Sequence, residues 1–136
     1  MGVPCLPRRS AVALAAPLLI TSLAAGSPAQ AQSLEGSWSG GGSVAFGPGQ
    51  HERAKCRARY RRSSATSYTV TATCATPSGS ATQTATVRQV GGNSYRGQFH
   101  NSEYNVSGTI YVTVGGNRQS VRLTSGSGSA SLELRR

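Results

Sequence analysis

Apolar and polar side chains alternate one by one through much of the chain. From Arg53 to Arg62 the even positions are Ala54, Cys56, Ala58 and Tyr60, and the odd ones are Arg53, Lys55, Arg57, Arg59 and Arg61. From Tyr68 to Cys74, the residues Tyr68, Val70, Ala72 and Cys74 alternate with Thr69, Thr71 and Thr73. A period of two is that of a strand with one buried face. Trp38, Val44 and Phe46 share parity in a first segment that Gly40-Gly41-Gly42 is expected to interrupt. Further strands are predicted at Gln83 to Val90, at Tyr95, Gly97 and Phe99, at Tyr104, Val106, Gly108, Ile110, Val112 and Val114, at Val121 and Leu123, and at Ala130, Leu132 and Leu134.

Turn signals separate these segments: Gly47-Pro48-Gly49, Pro77-Ser78-Gly79, Gly91-Gly92-Asn93, Gly115-Gly116-Asn117 and Gly126-Ser127-Gly128. No stretch carries the 3.6-residue period of an amphipathic helix. The pattern predicts an all-β fold of about eight short antiparallel strands. Closing the sheet hides its edges, and short connections join sequential neighbours, so an up-and-down barrel is expected, with a two-sheet sandwich as the alternative. The inward positions Gly40, Gly42, Ala54, Ala58, Ala72, Ala85, Gly97 and Gly108 are all small. They suit either a tight barrel or a hollow one, and the scarcity of large apolar side chains favours the tight form.

The first 31 residues follow a different grammar. Arg8 and Arg9 precede a nearly unbroken apolar run from Ala11 to Ala25, and Ala29-Gln30-Ala31 supplies a small-residue cleavage pattern. This order is that of an export signal, with cleavage expected after Ala31 and a single domain over residues 32–136 in the periplasm or outside the cell. The apolar run, about fifteen residues, is shorter than the roughly twenty a spanning helix needs, so no transmembrane segment is expected after processing. Ser27 stands where a lipoprotein signal would place its cysteine, so no lipid anchor is expected.

Of the three cysteines, Cys5 would leave with the signal, and Cys56 and Cys74 remain. An even count in an exported chain reads as a disulfide, and both residues lie on the apolar face of their strands. With Cys56 opposite Cys74, Ala58 faces Ala72, Tyr60 faces Val70, and the turn centres near Ala65. Such a crosslink stabilises by about 3 kcal/mol in the chain-entropy model. No Cys-x-x-Cys spacing is present to make a redox centre.

Charge sharpens the picture. The chain carries 14 Lys and Arg against 4 acidic residues, a net +10, and it has no Asp. Removing residues 1–31 leaves twelve cations and four carboxylates, a net +8. Half of those cations, Arg53, Lys55, Arg57, Arg59, Arg61 and Arg62, fall in one strand. Five of them share the outward face at intervals of about 6.5 to 7 Å. The ladder is a candidate surface for phosphates, anionic lipid headgroups or an acidic protein; the alternative is a solvated face that blocks edge pairing. No aromatic side chain interleaves on that face, so nucleic acid is not an expected partner.

The inventory argues against an enzyme. Glu35, Glu52, Glu103 and Glu133 are not spaced as a carboxylate pair on any one element. His51, Glu52, His100 and Glu103 are the only plausible metal ligands once the cysteines are bridged, and no metal or other cofactor is expected. No Gly-x-Ser-x-Gly elbow stands in a strand-turn-helix context.

One motif carries a resemblance. Gly36-Ser37-Trp38 opens the first strand and Arg135-Arg136 stand at the last. This resembles the calycins: lipocalins, avidins, fatty-acid-binding proteins and the bacterial metalloprotease inhibitors. The resemblance implies that Trp38 anchors one end of the barrel and that Arg135 or Arg136 packs over its indole. The exported bacterial inhibitors look nearest, which implies a binding or inhibitory module for a protein or small ligand. Only Gln32 to Glu35 precede the first strand, which is short for an inhibitory trunk. The alternative expectation is an envelope-associated structural protein that holds anionic surface polymers or lipids through the basic hairpin.

Overall fold

The computed structural model describes residues 33–136, with residues 2, 4 and 15–17. Apart from those few positions, the expected export segment, Cys5 and the Ala31 cleavage point lie outside the described residues.

Eight strands follow one another: β1 (Gly36–Ala45), β2 (His51–Arg62), β3 (Ser67–Thr76), β4 (Gly79–Gln89), β5 (Ser94–Asn101), β6 (Val106–Gly115), β7 (Arg118–Ser125) and β8 (Gly128–Arg135). Each pairs antiparallel with the next, and β8 pairs with β1, so the sheet closes into an up-and-down barrel with no free edge. The sandwich alternative is therefore excluded. The β2–β3 register sets Cys56 against Cys74, Ala58 against Ala72 and Tyr60 against Val70. The disulfide joins the first of these pairs, with a Cα–Cα distance of 4.1 Å.

Register also fixes the girth. Following partners round the ring from Arg62 leads through Tyr68, Val87, Gly97, Ile110, Leu123, Ala130 and Val44 to Glu52, ten residues back along β2. Eight strands with that stagger tilt by about 41° and enclose a backbone radius of about 8 Å, enough for side chains and little else. The core follows the alternation, with Trp38, Tyr60, Tyr68, Tyr95, Val87 and Val112 among its most buried members.

Glycine permits the tightest approaches. A β-carbon on Gly97 would lie 1.6 Å from the Thr86 carbonyl oxygen, and one on Gly42 would lie 1.9 Å from that of Ser131. Any side chain at these points would collide with the neighbouring strand's backbone. Gly40-Gly41-Gly42 do not interrupt β1, contrary to the expectation from sequence. The strand is paired on both sides, and the two ladders hold it extended through the glycines.

Two further boundaries differ from the alternation. Tyr104 shares parity with Val106, yet β6 begins at Val106, and Tyr104 is 63% exposed. Asn101 accepts a hydrogen bond from the Tyr104 amide at 3.1 Å and Asn105 takes φ 51°, so local turn chemistry overrides the strand period. Phe46 lies beyond β1, where its amide donates to the Gln50 carbonyl at 3.0 Å to close the first turn, and its ring is exposed.

Candidate functional site

The barrel has an inside and an outside on which to bind, and they differ greatly in room. Inside, a cavity of ≈ 30 Å³ lies among Cys56, Ala58, Val70, Phe99, Ile110 and Leu123. That suffices for about one or two water molecules, whereas small-molecule pockets occupy about 300–1,000 Å³.

One end of the barrel is stoppered. The Trp38 indole N–H donates to the Leu34 carbonyl at 2.8 Å, and the Arg136 guanidinium carbon stands 4.5 Å from the ring centroid. The same guanidinium donates to the carbonyls of Ser33 at 2.7 Å and Glu35 at 3.3 Å, which ties residues 33–35 under the barrel. Arg135 instead points outward, opposite Ser39 and Arg118. Deeper in, the Tyr60 hydroxyl donates to Gln119 Oε1 at 2.6 Å, while the buried Gln119 Nε2 has no partner. Burial pushes the Tyr60 phenol well above its ordinary range, against the opposing effect of the Gln119 bond. Tyr68 and Tyr95 meet edge to face at 5.6 Å, and Arg62 donates to the Tyr68 hydroxyl at 2.9 Å. Arg62 thus leaves the ladder and turns toward the stoppered end.

Outside, Arg53, Lys55, Arg57, Arg59 and Arg61 all stand exposed on β2. Arg57, Arg59 and Arg61 lie directly opposite Thr73, Thr71 and Thr69 of β3, which in turn face Thr82, Thr84 and Thr86 of β4. On the other side, β1 contributes Ser37, Ser39, Gly41 and Ser43. Among the described residues no cation of the barrel has a carboxylate within ion-pair distance.

Three of the four carboxylates are engaged with neutral donors. Glu52 accepts from the Ser78 hydroxyl, Glu103 from the Thr82 amide at 3.2 Å, and Glu133 from the Ser120 hydroxyl at 2.6 Å. The Ser78 bond holds the Glu52 carboxyl below its usual range. The positive ladder is therefore left uncompensated.

Beside the ladder, an open groove of ≈ 570 Å³ runs over the outer face of β3–β5. Its polar lining includes Thr69, Thr71, Thr84, Thr86, Gln98 and His100, and the His100 ring nitrogen lies 2.7 Å from the Ser107 hydroxyl. Arg59 and Arg61 lie directly opposite its Thr71 and Thr69 in the β2–β3 ladder. This groove was not anticipated from sequence, although the Thr-x-Thr-x-Thr run of β3 and its counterpart Thr82, Thr84 and Thr86 on β4 were its visible signal. His51, Glu52, His100 and Glu103, considered above as metal ligands, form no group of three among the described residues.

No known protein family matches the sequence, and no curated protein is similar to it. Solved structures do share its fold. A redesigned β-barrel, mFAP1, bound to DFHBI, superposes with a TM-score of 0.68 at 15% identity, covering 78% of this chain and 97% of that one. A de novo designed fluorescence-activating β-barrel gives 0.62 at 16% identity over 78% and 95% of the two chains. The redesigned barrel mFAP0, also bound to DFHBI, gives 0.66 at 16% identity over 77% and 100%. At such identities the likeness is one of fold: a closed antiparallel β-barrel.

Proposed function

We propose that this protein is an exported, non-catalytic binding barrel that works through its outer wall, holding an acidic polysaccharide of the cell envelope against β2–β5. One observation carries the reading: an uncompensated cationic ladder borders a hydroxyl-lined groove. The ladder runs about 27 Å from Arg53 to Arg61, and its neighbouring charges sit closer together than the ~10 Å screening length at 0.1 M salt. Each adjacent pair repels by about 0.6 kcal/mol in water, which a polyanion lying along the strand relieves. The groove's threonines, with Gln98 and His100, offer hydrogen bonds to sugar hydroxyls. A lipid surface is less well matched, because the exposed large apolar residues Phe46, Val90, Tyr104 and Tyr111 are not on the ladder strand.

The test is binding of polygalacturonate at low ionic strength, with neutral dextran as control. Changing Arg57→Ser together with Arg59→Ser is expected to weaken binding about five- to thirty-fold, at roughly 0.5–1 kcal/mol per exposed contact, and added salt is expected to weaken it further. Affinity unchanged by both would remove the ladder from the function.

A second reading places a small ligand within the barrel. The shared fold with barrels bound to DFHBI supports it, as does the apolar cavity beneath half-buried Ala72 and Ala85. It requires the cavity's lining side chains to move apart. The inhibitory role implied by the calycin resemblance is less well supported, because Ser33 to Glu35 are tied to the barrel's end rather than extended from it.

A further inference from the structure

We infer that the groove on the outer wall is a two-sided cleft, in which Arg88 and Arg96 hold the same acidic glycan from the flank facing the ladder. The inference rests on the reading that the outer wall binds such a glycan. Register places the residues. Arg61 of β2 lies opposite Thr69 of β3, Thr69 opposite Thr86 of β4, and Thr86 opposite Gln98 of β5. Two residues farther along the same outward faces, Arg88 lies opposite Arg96, and both side chains are exposed. The hydroxyl-lined floor therefore has Arg59 and Arg61 opposite its Thr71 and Thr69, and Arg88 and Arg96 just beyond its Thr86 and Gln98. Two strand spacings and two residues separate Arg61 from Arg88, about 12 Å between Cα atoms along the sheet. Long side chains on either flank can close that width on a single sugar chain.

The strands β3, β4 and β5 contain no Asp or Glu. Glu103 meets β4 at the Thr82 amide, at the opposite end of the strand from Arg88. Like charges directly opposite one another across a strand pair oppose folding, so the Arg88–Arg96 pair does nothing for the barrel itself. A carboxylate seated between the two guanidiniums relieves their repulsion and accepts charge-assisted hydrogen bonds from both.

Arg96 is also held beside the groove. Its guanidinium carbon stands 5.9 Å from the ring centroid of Tyr111, its directly opposite neighbour on β6. That contact restrains a side chain that would otherwise lose more rotamer freedom on binding, which makes Tyr111 a positioning residue. A uronate polymer carries a carboxylate on each ring with hydroxyls between. It offers acid groups to both flanks and hydroxyls to the threonines, Gln98 and His100 of the floor.

The experiment measures polygalacturonate affinity at low ionic strength for three variants that each lose two cations: Arg57→Ser with Arg59→Ser, Arg88→Ser with Arg96→Ser, and, as a control on β7, Arg118→Ser with Arg122→Ser. The first two pairs should each weaken binding about five- to thirty-fold, and the β7 pair should stay within about threefold. The single change Arg96→Gln serves if the double variant does not fold, with an expected loss of about two- to five-fold. Tyr111→Ser should cost about two- to five-fold, and Tyr111→Phe, which keeps the ring, should not. Titration with a short oligogalacturonate should saturate at one chain per barrel. Unchanged affinity on loss of Arg88 and Arg96, with the Arg57 and Arg59 variant weakened, overturns the second flank and leaves the ladder reading intact. Equal losses from all three pairs also overturn it, because the polymer then responds only to net charge. Two oligomers per barrel overturn the shared hold, and full affinity in Tyr111→Ser overturns the positioning role. Absence of any binding by the unaltered protein overturns the cleft and the ladder reading together.

Discussion

Replacing Tyr60 by Phe removes a single oxygen atom from the stoppered end of the barrel. That oxygen is the donor to Gln119 Oε1 at 2.6 Å, and both residues are 1% exposed. The Gln119 Nε2 already lacks a partner, so the substitution leaves the whole amide buried and unsatisfied. The cost of such a group is about 1–3 kcal/mol, and the space left by one hydroxyl adds little. For a domain of this size each kcal/mol lowers Tm by about 4–8 °C, so a fall of roughly 5–20 °C is expected. Urea and thermal unfolding followed by circular dichroism, with the disulfide intact, measure it. Gln119→Leu supplies the second arm of the cycle, because Tyr60→Phe with Gln119→Leu replaces the polar pair by an apolar one. The double variant should be more stable than Tyr60→Phe alone. Additive effects, or a Tyr60→Phe change within about 0.5 kcal/mol of zero, would refute the argument that this pair is dry and bonded only to itself.

Three other outcomes follow from the packing. Arg136→Ala removes the cation stacked on Trp38 and the two bonds that tie down residues 33–35; it should cost about 1–2 kcal/mol and shift Trp38 fluorescence to longer wavelength, whereas Arg135→Ala should change neither. Gly97→Ala pushes a β-carbon into the Thr86 carbonyl and should cost at least about 3 kcal/mol in urea unfolding, well beyond an ordinary strand substitution. Tyr60 and Tyr95 are both pushed upward, chiefly by burial, so in alkali the unfolded chain gives up these protons first. Stability should be fully present below about pH 10, the unfolded value, and decline as pH rises toward the folded values. Phenolate absorbance recorded alongside unfolding checks this, and the late ionisation of Tyr60 should be lost in Tyr60→Phe while that of Tyr95 remains.

Much of the fold was legible because alternation is local. The parity of Cys56 and Cys74 determined their shared face, and a single consistent register then placed Ala58 on Ala72 and Tyr60 on Val70. The failures occurred where another force competes with the period. Tyr104 continues the parity of Val106, but Asn101 and Asn105 build a turn there. Gly40-Gly41-Gly42 reads as a break, yet ladders on both sides keep it in β1. The candidate site was half legible. The cations of β2 are neighbours in sequence and could be read directly. The threonines of β3 and β4 meet Gln98 and His100 only through the register of three strands, and the groove exists only once those strands are curved into a wall.

Binding is assigned above to the outer wall, not to the interior. The most direct measurement follows side-chain NMR signals during titration with polygalacturonate at low salt, comparing the Arg57, Arg59 and Arg61 guanidinium groups with the methyl groups of Ile110, Val121 and Leu123. The outward guanidinium signals are predicted to move while the inward methyl signals stay fixed. Movement of the Ile110, Val121 and Leu123 methyls with the arginines unchanged would contradict that assignment and place the ligand inside the barrel.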